Sequence, residues 1–468
     1  MRNPISLSRL FNFFSRARRD QRGVSAIAFA ISFAVLTPMA LGVFDVYQST
    51  EQRGKLQDAL DAAALYAARS TANDTPTINT IGNKALTANL QLVHGATLTN
   101  SAFTLVDDGD PKVMATAQVA LPAYAPMEYN HLPVSVSSEV TRAGNSLEVA
   151  LVLDTTGSMS GTRIANLQSA ANQLIDLVVS DIQTPYYSKI AIVPYSNSVN
   201  PGTYTTAVRG TAVTALSPIQ SACVDQVGCT KIKFTNTAGS HPTFNLSNCV
   251  SERTGPEAFT DTSYTAASGK VGWVYPPASG SNGCIGQTIL PLTSDKTALH
   301  NEIGTLAAAN STAGQIGLAW GWYSISPNWA SLFPAASQPA AYGTQHLLKV
   351  VILMTDGAFN TTYCNGVISG PTSGSGSGST SDHAACASPN GNAFTQAQAL
   401  CNNMKHLASP VIIYTVGFDV GSDPSAQAVL ANCATDASHV YFPADDGHSL
   451  QMAFQQIASD LNRLRISK

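Results

Sequence analysis

From Val24 to Phe44 the chain runs for 21 residues without a charged side chain, and six arginines precede that run against one acidic residue, Asp20. At ~1.5 Å rise per residue, a helix of this length reaches roughly 30 Å, the thickness of one bilayer core. Pro38 within it is tolerable in a membrane helix, where neighbouring groups or a local kink re-satisfy the freed carbonyl. By the positive-inside rule the basic segment 1–22 stays cytoplasmic and the rest of the chain lies across the membrane. A cleaved secretory signal is the competing reading. Its apolar core is shorter, about 7 to 15 residues, and ends at a small-x-small site. Here the run passes directly into Asp45-Val46-Tyr47 and a helical pattern, so a transmembrane helix over 23–47 is predicted.

Beyond residue 22 the charges are sparse and net acidic, with 19 Lys and Arg against 28 Asp and Glu. Only 12% of the 468 residues are charged, about half the roughly 25% of an ordinary soluble domain. Such a chain is no polyelectrolyte, and nucleic acid is a poor partner because phosphate neutralisation needs concentrated Lys and Arg. All eight cysteines, Cys223, Cys229, Cys249, Cys284, Cys364, Cys386, Cys401 and Cys433, lie at residue 223 or beyond. An even count without a CxxC pair favours disulfides in an exported domain over a zinc site.

After the span, 48–70 reads as a continuing juxtamembrane helix with Leu56, Leu60, Ala63 and Ala67 on one stripe. That stripe fits either a partner helix or the helix's own domain. From 95 to 143 the period changes to two, and Asp107-Asp108-Gly109-Asp110 is a hairpin signal, so a small β-rich stalk is predicted. From Ser146 onward buried-strand candidates (147–153, 190–193, 350–354 and 411–416) alternate with helical patterns, the first of them Ile164, Leu167, Ala171, Leu174, Val178 and Ile182. This is the pattern of an α/β domain over 146–468, an open, mostly parallel sheet with helices on both faces. Two Cys-containing insertions interrupt it, at 201–291 and 359–391, and the Gly/Ser run 373–379 in the second is expected to be mobile.

The first strand ends in Asp154-Thr155-Thr156-Gly157-Ser158-Met159, and 350–354 ends in Thr355-Asp356-Gly357. Loops at the carboxyl ends of strands are where open α/β sheets bind ligands. Asp154, Thr156 and Ser158 alternate, so a curled loop can turn a carboxylate and two hydroxyls toward one point, with Asp356 at the same edge. These are hard oxygen donors of the kind Mg²⁺, Mn²⁺ or Ca²⁺ accepts. Taken singly, each motif is also explained as a helix cap or a strand end. Trp320, Trp322, Trp329 and Phe333 fit either a core or a ligand platform. His383 near Cys386 lacks metal-ligand spacing, and neither a P-loop nor His-Glu-x-x-His occurs.

The strand-end motifs resemble the von Willebrand factor A domain, whose metal-ion-dependent adhesion site they form. That resemblance implies a metal shell of Asp154, Thr156, Ser158, Thr312 and Asp356, filled by a divalent cation, Mg²⁺ first and Mn²⁺ or Ca²⁺ as alternatives. The family usually has serine where Thr156 stands, and Gly-Gly-Thr where this chain has Asn310-Ser311-Thr312. In such a shell a partner's carboxylate completes the coordination. Residues 22–70, from Arg22-Gly23-Val24-Ser25-Ala26 through Leu56-Gln57-Asp58-Ala59-Leu60-Asp61-Ala62-Ala63-Ala64, resemble the N-terminal module of TadE/TadG-type Flp (tight adherence) pilus assembly proteins. Gly317-Leu318-Ala319-Trp320-Gly321-Trp322, Cys249-Val250-Ser251-Glu252-Arg253 and Leu290-Pro291-Leu292-Thr293 are also similar to TadG-like chains. A processed prepilin resembles Gly followed by Glu five residues on; here Gly23 is followed by Ala28.

The reading that results is a single-pass bacterial inner-membrane protein with a cytoplasmic N-terminus and a periplasmic C-terminal domain. It acts in Flp pilus assembly through metal-dependent contacts with assembly proteins or pilins and is not an enzyme. A processed minor pilin or pilus-associated adhesin is the first alternative, and a metal-assisted hydrolase using Asp154 and Asp356 the second. Cys401 with Cys433 and Cys364 with Cys386 are the expected disulfides, the other four cysteines pairing among themselves.

Overall fold

The structure is a computed structural model that describes residues 21–70, 72–92, 94–106, 111–125, 131–142, 144–210, 219–220, 231–278, 281–370, 380–443 and 446–466. The chain divides into two compact units, Met1–Arg142 and Ala143–Lys468.

In the first unit one helix, α1 (Gln21–Arg69), covers both predicted helical segments without a break at residue 47. Its two halves differ in what surrounds their apolar side chains. Ile27, Phe29, Ile31, Phe33, Val35, Leu36, Met39 and Val43 are exposed, whereas Leu56, Leu60, Ala63 and Ala67 are buried. Among the described residues this is the one helix long and apolar enough to cross a bilayer. The buried stripe packs on the unit's own elements: helix α2 (Thr75–Asn89) and an antiparallel sheet of β1 (Thr97–Val106), β2 (Lys112–Pro122) and β3 (His131–Thr141). The partner-helix reading of the stripe is therefore replaced by an internal contact. Helix α2 lies in a stretch to which the sequence assigned no element; Asp74 caps it, accepting from Thr77 N, and Pro76 sits in its first turn.

Helix and sheet are matched in length. The 25 residues Asp45–Arg69 rise ~37 Å, and the 11 residues of β3 extend ~36 Å. At the far end Arg142 donates to the carbonyls of Ala68, Ser70 and Ala72, satisfying one acceptor that the end of α1 leaves open and two on the chain just beyond it. The predicted turn at Asp107–Asp110 lies outside the described residues, although β1 and β2 on either side of it pair antiparallel.

The second unit is built on a six-stranded sheet of β4 (Ser146–Asp154), β5 (Ser188–Tyr195), β6 (Leu290–Thr293), β7 (Leu347–Thr355), β8 (Ile412–Gly417) and β9 (Val440–Tyr441). Its spatial order is β6-β5-β4-β7-β8-β9, parallel throughout except for the edge strand β6. The predicted insertion 201–291 thus ends inside the sheet. Pro291 concealed this strand, since proline cannot donate to a ladder; an edge position tolerates it.

Helices α3 (Thr162–Val178) and α8 (Gly447–Ile466), with α4 (Lys296–Gly304), pack on one face against Leu151, Ile192, Ile352 and their neighbours. Helices α5 (Gly314–Ile325), α6 (Ala393–Lys405) and α7 (Pro424–Cys433) pack on the other, against Ala150, Val193, Val351 and Leu353. Helical spacing predicted α3 through Ile182, but the helix stops at Val178. Ser180 N bonds the Ser188 hydroxyl instead, turning the chain toward β5.

Every residue of α5 is buried, as expected of a helix apolar all round. A β-carbon at Gly321 would fall 2.4 Å from Val152 Cγ2, so glycine there sets how closely the helix lies on the sheet. Trp320, Trp322, Trp329 and Phe333 are buried in this layer, and Tyr323 stacks on Trp329 at 4.1 Å. They are core, and the ligand-platform reading does not hold.

The insertions carry their own small pairings, including 231–234 with 243–245 and 363–364 with 367–368. Disulfides join Cys249 to Cys284, Cys364 to Cys386 and Cys401 to Cys433. Cys223, Cys229 and the Gly/Ser run 373–379 lie outside the described residues.

Candidate functional site

Strands β4 and β7 are adjacent and parallel, with Leu153 opposite Met354, so Asp154 and Asp356 emerge side by side at the carboxyl edge. The chain moves from β4 to β5 on one side, while β7 lies on the other. Asp154 and Asp356 therefore flank the point where strand order reverses, the ligand-binding crevice of an open α/β sheet.

Asp154 is buried and held from several directions. Its Oδ1 accepts from Thr156 N at 2.8 Å; its Oδ2 accepts from the Thr355 hydroxyl at 2.8 Å and from Asp356 N at 3.4 Å, and the Tyr195 hydroxyl lies 3.3 Å away. The single turn Gly157–Met159 curls the loop, and the Thr156 and Ser158 hydroxyls meet at 2.9 Å. The Ser158 hydroxyl in turn donates to Asp356 Oδ1 at 2.7 Å. Two carboxylates and two hydroxyls thus form one connected group.

Arg163, in the first turn of α3, reaches Asp356 Oδ2 at 3.4 Å and also pairs with Asp419. Burial pushes the Asp154 carboxyl upward, against the hydrogen bonds from Thr156, Thr355 and Asp356. Burial also raises Asp356, and the Asp154 charge adds to the effect, while Ser158 and Arg163 oppose it. Two carboxylates so placed resist joint ionisation unless positive charge is added between them. That demand, together with an all-oxygen donor set, fits a divalent cation.

Thr312 stands apart from this network. Its loop is tied to the Asp154 loop, since Gly157 N donates to Asn310 O at 2.8 Å and Ala309 N donates to Thr155 O at 2.8 Å. Thr312 itself is bonded through its backbone, to Asn360 and Thr361, and among the described residues its hydroxyl bonds none of the other four. Nor do three or more His, Cys, Asp or Glu gather at one point among the described residues, so a cation here would depend on the hydroxyls.

The sequence reading missed Tyr195, Thr355 as a support of Asp154, Arg163 and Asp419. Thr355 stood in the motif that marked Asp356. The others come from separate elements, and no local pattern points to them.

Residues 23–70 match the Tad family model described as "Putative Flp pilus-assembly TadE/G-like". No curated protein sequence matches the chain. Among solved structures, it is similar to the vWF domain of the type V pili tip protein Mfa5 from Porphyromonas gingivalis, at 14% identity and a TM-score of 0.37, covering 69% of this chain and 97% of that one. It is also similar to the pilus adhesin RrgA from Streptococcus pneumoniae, at 13% identity and a TM-score of 0.36, covering 78% of this chain but 49% of that one. Over residues 23–70, then, the chain is similar to the TadE/G-like segment that this family model describes.

Proposed function

We propose that this protein is a membrane-anchored component of Flp pilus assembly whose second unit, a von Willebrand factor A-type domain, engages pilins or assembly proteins through a divalent cation. The observation that carries this reading is the connected group of Asp154, Thr156, Ser158 and Asp356 at the strand-order switch, in a chain whose residues 23–70 match a pilus-assembly family model. These four would hold Mg²⁺, or Mn²⁺ or Ca²⁺, with Thr312 on the adjoining loop as a fifth donor. When bound, the cation supplies an electrophilic centre that an acidic side chain of a partner can complete. The residues' own work is to hold the donors: Thr355 and Tyr195 orient Asp154, and Ser158 orients Asp356. This assigns the site a binding role rather than a catalytic one.

Helix α1, with its exposed apolar half behind an arginine-rich start, supports a single inner-membrane span with the N-terminus cytoplasmic. Three disulfides in the second unit support an oxidising compartment, the periplasm.

The test is a pull-down with the full-length protein in detergent. Pilus components should be retained with Mg²⁺, released by EDTA, and lost with Asp154→Ala. Equal retention in all three conditions would refute the metal-dependent contact.

A further inference from the structure

Asp45 is the first charged residue after the apolar run of α1, yet its side chain is only 2% exposed. Its carboxylate is turned onto the chain that follows β2. It accepts from Tyr124 N at 3.0 and 3.1 Å and from Ala125 N at 2.8 Å. This clamp holds the segment Pro122–Ala125 against α1 at the level where the apolar run ends. One residue earlier on the helix, Phe44 meets the Tyr124 ring edge-on, with centroids 5.6 Å apart. Among the described residues both rings stay exposed, Phe44 at 45% and Tyr124 at 48%. Val43, Val46 and Tyr47, on the adjoining turn, are exposed as well.

We propose that the Pro122–Ala125 end of the sheet is a second membrane contact, with Tyr124 seated in the headgroup layer beside Phe44 and the partner being the lipid bilayer surface. The inference rests on α1 spanning the membrane. Its level follows from continuity with the apolar run, because Asp45 fixes Tyr124 at the residue where charge first becomes tolerable. Its chemistry is that of an interfacial aromatic, a ring that joins the apolar layer and a hydroxyl that reaches water or headgroups. Two points of contact, one on the helix and one on the sheet, restrict how α1 can tilt and rotate, which a lone span leaves to its surroundings.

The full-length protein in phosphatidylethanolamine and phosphatidylglycerol liposomes tests this. The photoreactive residue benzoylphenylalanine is placed singly at position 33, 114 or 124, and lipid adducts are read by mass spectrometry after irradiation. Phe33 lies within the apolar run; Met114 is exposed on β2, roughly 25 Å along the strand from its Tyr124 end. Adducts are expected at 33 and 124, with yield at 114 at least tenfold lower. Adducts at 33 but not at 124 would overturn the second contact while leaving the span intact. Equal yields at 114 and 124 would overturn its confinement to the sheet end. No adduct at 33 would overturn the span and the inference with it.

Discussion

At residue scale the candidate site depends on Asp154 and Asp356 sharing one small space. Because burial raises both carboxyls, protons compete for the oxygens a cation needs as the pH falls. Mg²⁺ should therefore bind the full-length protein more weakly at pH 6 than at pH 8, with proton release on binding. Asp356→Asn should weaken binding by about 100-fold or more, since even outer-shell partners are worth 10–100-fold. Titration calorimetry giving the same affinity at both pH values, or in the variant, would refute the assignment.

Glu252 offers a second titration, with partners none of which belongs to the Asp154–Asp356 group. It is buried, Tyr363 N donates to its Oε1 at 2.8 Å, and burial pushes its carboxyl up to about 7 from an ordinary 4.5. The folded state then holds more protons than the unfolded state between those values, so stability falls as pH rises through that window. The loss amounts to about 3 kcal/mol and is complete above the folded value. Glu252→Gln keeps an acceptor for Tyr363 N and should flatten the decline; denaturant midpoints across pH 4 to 8 measure it. Asp154, Thr156, Ser158 and Asp356 were legible because each motif is contiguous and follows a recognisable strand. Tyr195 and Arg163 were not, because only tertiary structure brings β5 and the start of α3 to Asp154 and Asp356.

At the scale of elements, the one charged residue inside the apolar strand β4, ahead of Asp154 at its end, identifies what fixes its neighbour. Glu148 pairs in register with Lys349 of β7, and both side chains are buried. The Tyr187 hydroxyl and Ala340 N also donate to Glu148, and Lys349 donates to Ile325 O. Removing one partner leaves a buried charge uncompensated, so Glu148→Ala should cost about 3–5 kcal/mol. Adding Lys349→Met should recover part of that, though not all, because Ala340 N remains without its acceptor. Equilibrium unfolding of the two variants checks both; a cost under about 1 kcal/mol for the single variant would show the pair to be dispensable. Gly321→Ala is a further test, since the added carbon must displace Val152 and should cost about 1–3 kcal/mol. The central strands were readable as continuous apolar runs. β6 was not, because Pro291 interrupts its pattern. Nor was the end of α3, because Ile182 continues the helical spacing after the hydrogen bonds have stopped.

At the scale of the molecule, the two units are stabilised by different means. The first buries one stripe of α1 and a three-stranded sheet, a small core with no disulfide among its described residues. The second combines two layers of helix on a six-stranded sheet with three bridges among its described residues, at sequence separations of 35, 22 and 32. Closing loops of that size restricts the unfolded chain by about 3–4 kcal/mol each in the chain-entropy account. Two of the bridges hold irregular insertions; Cys401–Cys433 joins α6 to α7 within the core layer. In the sequence the strand–helix alternation begins at Ser146, just past this division, whereas the insertions, lacking periodicity, revealed only their cysteines. Reduction should therefore act on one unit alone. In the detergent-solubilised full-length protein, dithiothreitol should lower the unfolding temperature of the second unit, whose four tryptophans report it by fluorescence. The first unit contains no tryptophan, and protection of its backbone in hydrogen exchange should be unchanged by the reductant. Equal loss of protection in β1–β3 would mean that the two units unfold as one, and that the disulfides support the whole chain rather than the second unit.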